Sequence, residues 1–294
     1  MNVNRWISRN TDSLIGKRVA ISGSTGGLGR ELCCYLASLG AELVLVDRNS
    51  EKSLALAEDL KKKNPTLVVS HISADMSDME SVKSAANSLE KMNIDYLILN
   101  AGAYSIPRHR CDTGYDNVFQ INFVSPYYLA RRLLTGIESL GGKVVAVSSI
   151  AHNYSKMDEG DIDFSTRKAA SKVYGNAKRY LTYGLFALNS SAISVTHPGI
   201  SFTGITNHYP KLIFALIKHP MKVIFPHPRV ASLSVLNGMF IDCKNGEWIG
   251  PTFFDVWGAP RKKKLRTATK SEQIKIAEIT EEIYNKININ KEKS

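Results

Sequence analysis

The 294 residues contain no apolar run of the roughly 18 to 20 residues that a membrane-spanning helix requires. The first stretch, MNVNRWISRNTDSLIGKR, lacks the apolar centre of a secretory signal. Together these absences point to a cytoplasmic protein. Cysteine is scarce: Cys33, Cys34, Cys111 and Cys243 are the full set, and none has metal-ligand spacing. Reduced, partly buried thiols are expected rather than a disulfide framework. His208, His219 and His227 are too scattered to build a metal site, so no metal is expected. The formal charge of +11 makes an anionic partner worth considering. Yet no nucleic-acid motif is present, and no aromatic residue interleaves with the basic run RKKKLR at 261–266. Nucleic acid is not expected as a partner. A solvated basic tail, with weak attraction to anionic membrane surfaces as the alternative, accounts for the run. With no linker, repeat or low-complexity block, the chain divides simply: one domain over 1–260 and a basic C-terminal helical extension over 261–294.

Hydrophobic residues make up 44% and charged residues 22%, enough apolar content for one sizeable core. Short runs rich in Val, Ile and Leu recur at 17–23, 41–47, 66–72, 94–100, 143–149 and 192–198. They do not alternate, as expected of parallel strands covered on both faces. Helical patterns fall between them near 27–39, 50–63, 78–92, 114–140 and 168–189. This alternation predicts an α/β fold with a doubly wound parallel sheet, whose carboxyl edge is the ligand-binding edge. A helix is expected near 228–242 and a last strand near 247–254.

The first strand runs directly into SGSTGGLG (22–29) and then a helix. Gly23, Gly27 and Gly29, with Ser24, Thr25 and Leu28 between them, allow a tight turn and close backbone approach to a pyrophosphate. The second strand ends at Asp47, about 20 residues further on, where a carboxylate accepts from ribose hydroxyls. Arg48 pulls the other way, since a guanidinium suits a 2′-phosphate. No Lys or Arg lies inside the glycine loop, and the balance favours NAD over NADP.

VYGNAKRY (173–180) places Tyr174 and Lys178 one helical turn apart, on one face. A phenol with pKa near 10 is a poor acid or base at neutral pH until a cation stabilises its phenolate. Lys178 supplies such a charge, so a lowered Tyr174 pKa is expected, suited to proton transfer; Lys178 can also hold the nicotinamide ribose, and both residues are expected among the cofactor contacts. Ser149, ending the fifth strand, can hydrogen-bond a substrate oxygen and place it against Tyr174. His152 and His197 are read as a loop cap and a satisfied strand-end histidine.

In order and placement these motifs resemble the short-chain dehydrogenase/reductase superfamily over roughly residues 15 to 205. The glycine loop is similar to T-G-x-x-x-G-x-G, with Ser22 replacing Thr. The resemblance implies that Asp75, followed by Met76, holds the adenine amino group, and that Asn100-Ala101-Gly102 ends the fourth strand beside the cofactor. It implies a catalytic tetrad of Asn122, Ser149, Tyr174 and Lys178, with Asn122 positioning a water next to Lys178. It also implies that Pro198-Gly199 and Thr203 contact the nicotinamide end. The implied fold is a Rossmann-type sheet of about seven strands, and the implied assembly a homodimer or homotetramer through the helices near 114–140 and 168–189. The 24 residues between Ser149 and Tyr174 exceed the family's usual spacing. Their sequence resembles the retinol dehydrogenase-like branch, which prefers NADP(H) and lipophilic substrates. Asp47 departs from that branch. Residues 200–227 are expected to form a substrate lid, with a membrane-touching helix over 209–225 as the alternative. The implied activity is hydride transfer between NAD(P) and an apolar secondary alcohol or carbonyl. The competing readings are a catalytically silent dinucleotide-binding redox sensor or scaffold, and, more distantly, an epimerase-like enzyme.

Overall fold

The computed structural model describes residues 2–199 and 226–289. Most of the expected lid, and Thr203 with it, lies outside these residues. The strands are β1 (Arg18–Ser22), β2 (Glu42–Asp47), β3 (Val69–Ser73), β4 (Tyr96–Leu99), β5 (Lys143–Val147), β6 (Ile193–Thr196), β7 (Glu247–Phe253) and β8 (Trp257–Lys264). They form one sheet in the order β3-β2-β1-β4-β5-β6-β7-β8. All neighbours pair in parallel except β7 and β8. The strand order reverses between β1 and β4, which opens a crevice at their carboxyl ends.

The helices are α1 (Val3–Asn10), α2 (Gly27–Ser38), α3 (Ser50–Lys63), α4 (Met79–Met92), α5 (Ser125–Ser139), α6 (Ala170–Ala187), α7 (Leu233–Phe240) and α8 (Lys270–Ile289). The sheet separates two apolar layers. On one side α4, α5, α6 and α8 bury Leu89, Leu133, Leu181 and Ile283 against Val144 and Leu97. On the other, α2, α3 and α7 bury Leu32, Leu56 and Leu236 against Val19, Leu45 and Val145. Fully buried central strands are what the non-alternating runs require.

Several expectations change. The sheet has eight strands, and Arg261 to Lys264 of the basic run belong to β8 instead of a solvated tail. Strand β3 is only half-buried because it lies at the sheet edge. The helix expected at 228–242 is broken at Ser232 into the turn Pro228–Ala231 and α7. Helix α1 was not anticipated; its Val3, Trp6 and Ile7 pack on the core while its other face stays polar.

Helix α8 docks through Ile276, Ile279, Thr280, Ile283 and Ile287, one stripe at helical spacing. Gly184 of α6 lets it approach closely: an added Cβ there would lie 2.8 Å from the Thr280 methyl. Tyr284 packs edge-on against Tyr127 of α5. Helix α8 thus covers part of α5 and α6, the helices through which assembly was expected.

Candidate active site

Three strand ends and two helices converge at the crevice. Ser22 closes β1, and its hydroxyl accepts from the backbone N–H groups of Asn100 and Ala101, 3.1 Å each, locking β1 to the end of β4. The Asn100 amide donates back to the carbonyls of Ser22 (3.1 Å) and Gly23 (2.8 Å). Serine at this position therefore supplies the hydroxyl acceptor that joins the two strand ends. Gly23 has φ +69°, and its added Cβ would meet the Ala101 backbone at 2.9 Å. Gly29 is tighter still: a Cβ would lie 2.2 Å from the Gly23 carbonyl oxygen.

Helix α2 starts at Gly27 with no side chain capping its first turn. Uncapped N–H groups and the positive helix end suit a pyrophosphate. Gly26 and Gly27 are exposed, so none of the described residues covers this end. The residues present fit a dinucleotide.

Asp47 is buried at 6% exposure, and its Oδ2 accepts from the hydroxyls of Ser24 and Ser53, the latter at 3.0 Å. This carboxylate braces the glycine loop against α3. Arg48 is the exposed group at this end, with its guanidinium 4.0 Å from Asp75. Asp75 accepts from the N–H (2.8 Å) and hydroxyl (2.6 Å) of Ser77, which shapes the turn after β3. The Met76 carbonyl accepts from Ser125 at 2.7 Å, anchoring the same turn to α5.

Asn122 sits in a π-helical turn, Gln120–Val124, just before α5. Such turns displace one residue from the regular ladder and occur often at functional sites. Its amide donates to the carbonyls of Ala103 and Val118, 2.8 Å each, and its Oδ1 accepts from the Ala103 N–H at 3.2 Å. Both amide hydrogens are thus engaged by backbone, so any water beside Lys178 would meet the Asn122 oxygen. Gly102 is required here: a Cβ would lie 2.8 Å from that oxygen and 3.7 Å from Lys178 Nζ.

Helix α6 carries Tyr174 and Lys178 to the end of β5. Lys178 donates from Nζ to the Val147 carbonyl at 2.8 Å and lies 5.7 Å from the centre of the Tyr174 ring. Ser149 follows β5, with its hydroxyl accepting from Ala151 N–H at 3.1 Å. The lowered phenol pKa expected for Tyr174 is not what this arrangement produces. Burial pushes the phenol up to about 12, opposed by a hydrogen bond with Ser149. Burial likewise pulls the Lys178 ammonium down to about 7, so the cation expected to depress Tyr174 is itself weakened. A lysine whose folded pKa is depressed gives stability that is present above its unfolded pKa and lost as pH falls through the folded value. Accordingly, stability of the ligand-free chain should rise between pH 7 and pH 10, on the order of a few kcal/mol. Thermal melts of Lys178→Met should show a flatter pH profile across that window. A parallel profile would place the titration elsewhere.

Pro198 and Gly199 are buried beyond β6. Gly199 has φ +83°, and its Cβ would press on the Val256 carbonyl oxygen at 2.9 Å, so the β7–β8 turn closes over this corner. Around Tyr174 the chain adds an apolar wall that sequence alone did not reveal. Tyr104 meets the Tyr174 ring edge-on at 5.4 Å, and Ile106, Val118, Phe164 and Val173 pack beside it. Phe164 comes from the long insert, and Arg108 ties that insert down by donating to the Phe164 carbonyl at 2.9 Å and to Asp116 at 2.8 Å. A cavity of about 1080 Å³ lies elsewhere, between α1 and α2, and holds none of these residues. The crevice is preferred as the site because its chemistry converges there.

A glycine-loop α/β sheet with a Tyr–Lys helix beside it defines a dinucleotide-dependent class of protein. The short chain dehydrogenase family matches residues 17–173, and the chain belongs to it. It is 28% identical over 205 residues to retinol dehydrogenase 13 of Homo sapiens, a match covering 66% of this chain and 61% of that protein. Retinol dehydrogenase 12 of Homo sapiens is 26% identical over 286 residues, covering 90% and 86%. The chain thus spans less than two thirds of retinol dehydrogenase 13. Among solved structures, an uncharacterised protein from Mycobacterium paratuberculosis superposes with a TM-score of 0.75, at 20% identity, covering 95% of this chain and 97% of that one. L-sorbose reductase of Gluconobacter frateurii, complexed with NADPH and L-sorbose, superposes with a TM-score of 0.60 at 21% identity, covering 77% and 91%. Among the described residues, no helix is long and apolar enough to cross a membrane.

Proposed function

We propose that the chain is an oxidoreductase acting between an apolar secondary alcohol and its carbonyl, with Tyr174 as acid and base. The observation that carries this is the convergence of Tyr174, Ser149 and Lys178 beside the Gly102–Asn122 corner. A bound nicotinamide dinucleotide would supply or accept the hydride. The chain's own residues handle the oxygen and the proton. Ser149 offers its hydroxyl to the substrate oxygen. Tyr174 holds a proton on its phenol oxygen at neutral pH, the form needed to protonate a carbonyl oxygen during reduction. Lys178 stands one turn behind and favours the phenolate when it is charged. The Tyr104, Ile106 and Phe164 wall favours an apolar substrate and keeps water from the reacting oxygen. Relatives named for retinol agree with that polarity.

For the cofactor, we infer NADP(H) in place of the NAD expected from Asp47. Its carboxylate already serves Ser24 and Ser53, and Arg48 is the open group at that end. Fluorescence titration should give NADPH at least about tenfold tighter binding than NADH, and Arg48→Ala should remove most of the difference. Tighter NADH binding would return Asp47 to the ribose. A panel of apolar alcohols and carbonyls assayed with both cofactors tests the activity. Nucleotide binding without turnover on any of them would favour a redox sensor or scaffold.

A further inference from the structure

We propose that the start of the C-terminal segment, Thr267 to Glu272, is a positioning element for the reaction, acting through Arg179 and His152 on the loop that carries Ser149. This rests on the oxidoreductase function proposed above. Arg179 directly follows Lys178 on α6, yet it is only 2% exposed. Its guanidinium grips Glu272 with two bonds, Nε at 2.6 Å and one terminal nitrogen at 2.7 Å. The same group donates to the Thr267 carbonyl at 2.7 Å and to the His152 carbonyl at 3.0 Å. Glu272 also accepts the Met157 N–H at 3.0 Å. One buried ion pair therefore holds the Ser149 loop at two points, His152 and Met157. A bidentate guanidinium–carboxylate pair fixes direction as well as distance, which suits a brace.

A second chain of bonds reaches Ser149 itself. The His152 ring contacts the Ser149 carbonyl through Nδ1 at 2.7 Å and the Thr267 hydroxyl through Nε2 at 2.9 Å. A carbonyl only accepts, so Nδ1 carries the proton and Nε2 accepts from Thr267. The Thr267 oxygen in turn lies 2.5 Å from the Tyr183 hydroxyl, which is then the donor. Every group has one role in this sequence, from Tyr183 through Thr267 and His152 to Ser149. The two chains share Thr267 and start on the helix that carries Tyr174 and Lys178. The spacing between Ser149 and Tyr174 is thereby set by residues from the far end of the sequence. Arg179 and His152 are buried, and with Thr267, Glu272 and Tyr183 they act on the site through the Ser149 loop, so they are positioning residues.

The test uses the full chain with a carbonyl substrate and its preferred cofactor. Arg179→Met combined with Glu272→Met removes both charges together and leaves no unpaired buried ion. We expect kcat to fall about 10- to 100-fold, the range for a displaced reacting group, with dinucleotide affinity within about twofold. Hydrogen exchange should quicken across Ser149–Met157 and stay unchanged in the glycine loop. Should the double variant fail to fold, Thr267→Val decides on the same readouts, and Thr267→Ser should restore kcat. Unchanged kcat in a folded variant would overturn the proposal even if exchange quickened, since the bonds would then only hold structure. A kcat loss matched by loss of dinucleotide affinity, or not restored by serine, would also overturn it. If the unaltered chain turned over no substrate, the oxidoreductase function itself would fail, a result seen before any substitution.

Discussion

Tyr174→Phe should lower turnover by about 10² to 10⁴-fold, the usual worth of a positioned acid–base group. The change removes one oxygen and keeps the ring. The edge-on contact with Tyr104 and the packing with Val173 and Phe164 remain, so the fold should be unaffected. NADPH affinity should stay within about twofold, because the glycine loop and Arg48, which grip the phosphates, are untouched by the change. The loss should therefore appear in kcat, with KM little changed, as for an interaction made mainly in the transition state. Burial raises the phenol to about 12, so the wild-type residue is protonated throughout the neutral range, and carbonyl reduction should not lose its proton donor below pH 9. Steady-state assays of both proteins on one substrate check each part. Full turnover by the phenylalanine variant would falsify the proton-transfer role.

Gly29→Ala is expected to abolish measurable dinucleotide binding. The added Cβ would lie 2.2 Å from the Gly23 carbonyl oxygen and 2.8 Å from the Ser24 Cα and carbonyl oxygen. All three are backbone atoms, so no flexible side chain can yield. The loop must open or α2 must move away from β1. Opening the loop also pulls Ser24 from Asp47, undoing the brace to α3. Overpacking of this kind typically costs about 1–3 kcal/mol, enough to lower the melting temperature without unfolding the chain. Calorimetry with NADPH, beside a thermal melt, measures both effects. Gly136 is the matched control: an added Cβ there meets nothing within 4 Å, so Gly136→Ala should bind normally. Wild-type affinity in Gly29→Ala would mean that the loop does not hold the dinucleotide.

Much of this site was legible because it is built from local segments. A glycine loop must follow a strand and open a helix, and that order is linear in sequence. Tyr174 and Lys178 share a helix face whatever surrounds them. The apolar runs of β1, β2, β4 and β5 announced buried strands because both faces are covered. Less legible was whatever depended on a partner distant in the chain. Asp47 stood out by its position, but its bonds to Ser24 and Ser53 were not legible, because they form only when the loop and α3 come together. Lys178 looked like a standing cation because sequence carries no measure of burial. The basic run at 261–266 looked like a tail because β-pairing with β7 is not encoded in charge.

The sequence by itself determined the class of sheet, the glycine loop and the one-turn Tyr–Lys pair, since each needs only neighbouring residues and fixed backbone periodicities. Only the tertiary structure decided which charges face solvent, which carboxylate is already bonded, and that Arg179 and Glu272 meet across the α6–α8 contact. Those outcomes depend on desolvation and on bonds between residues far apart in the chain, and no local pattern contains them.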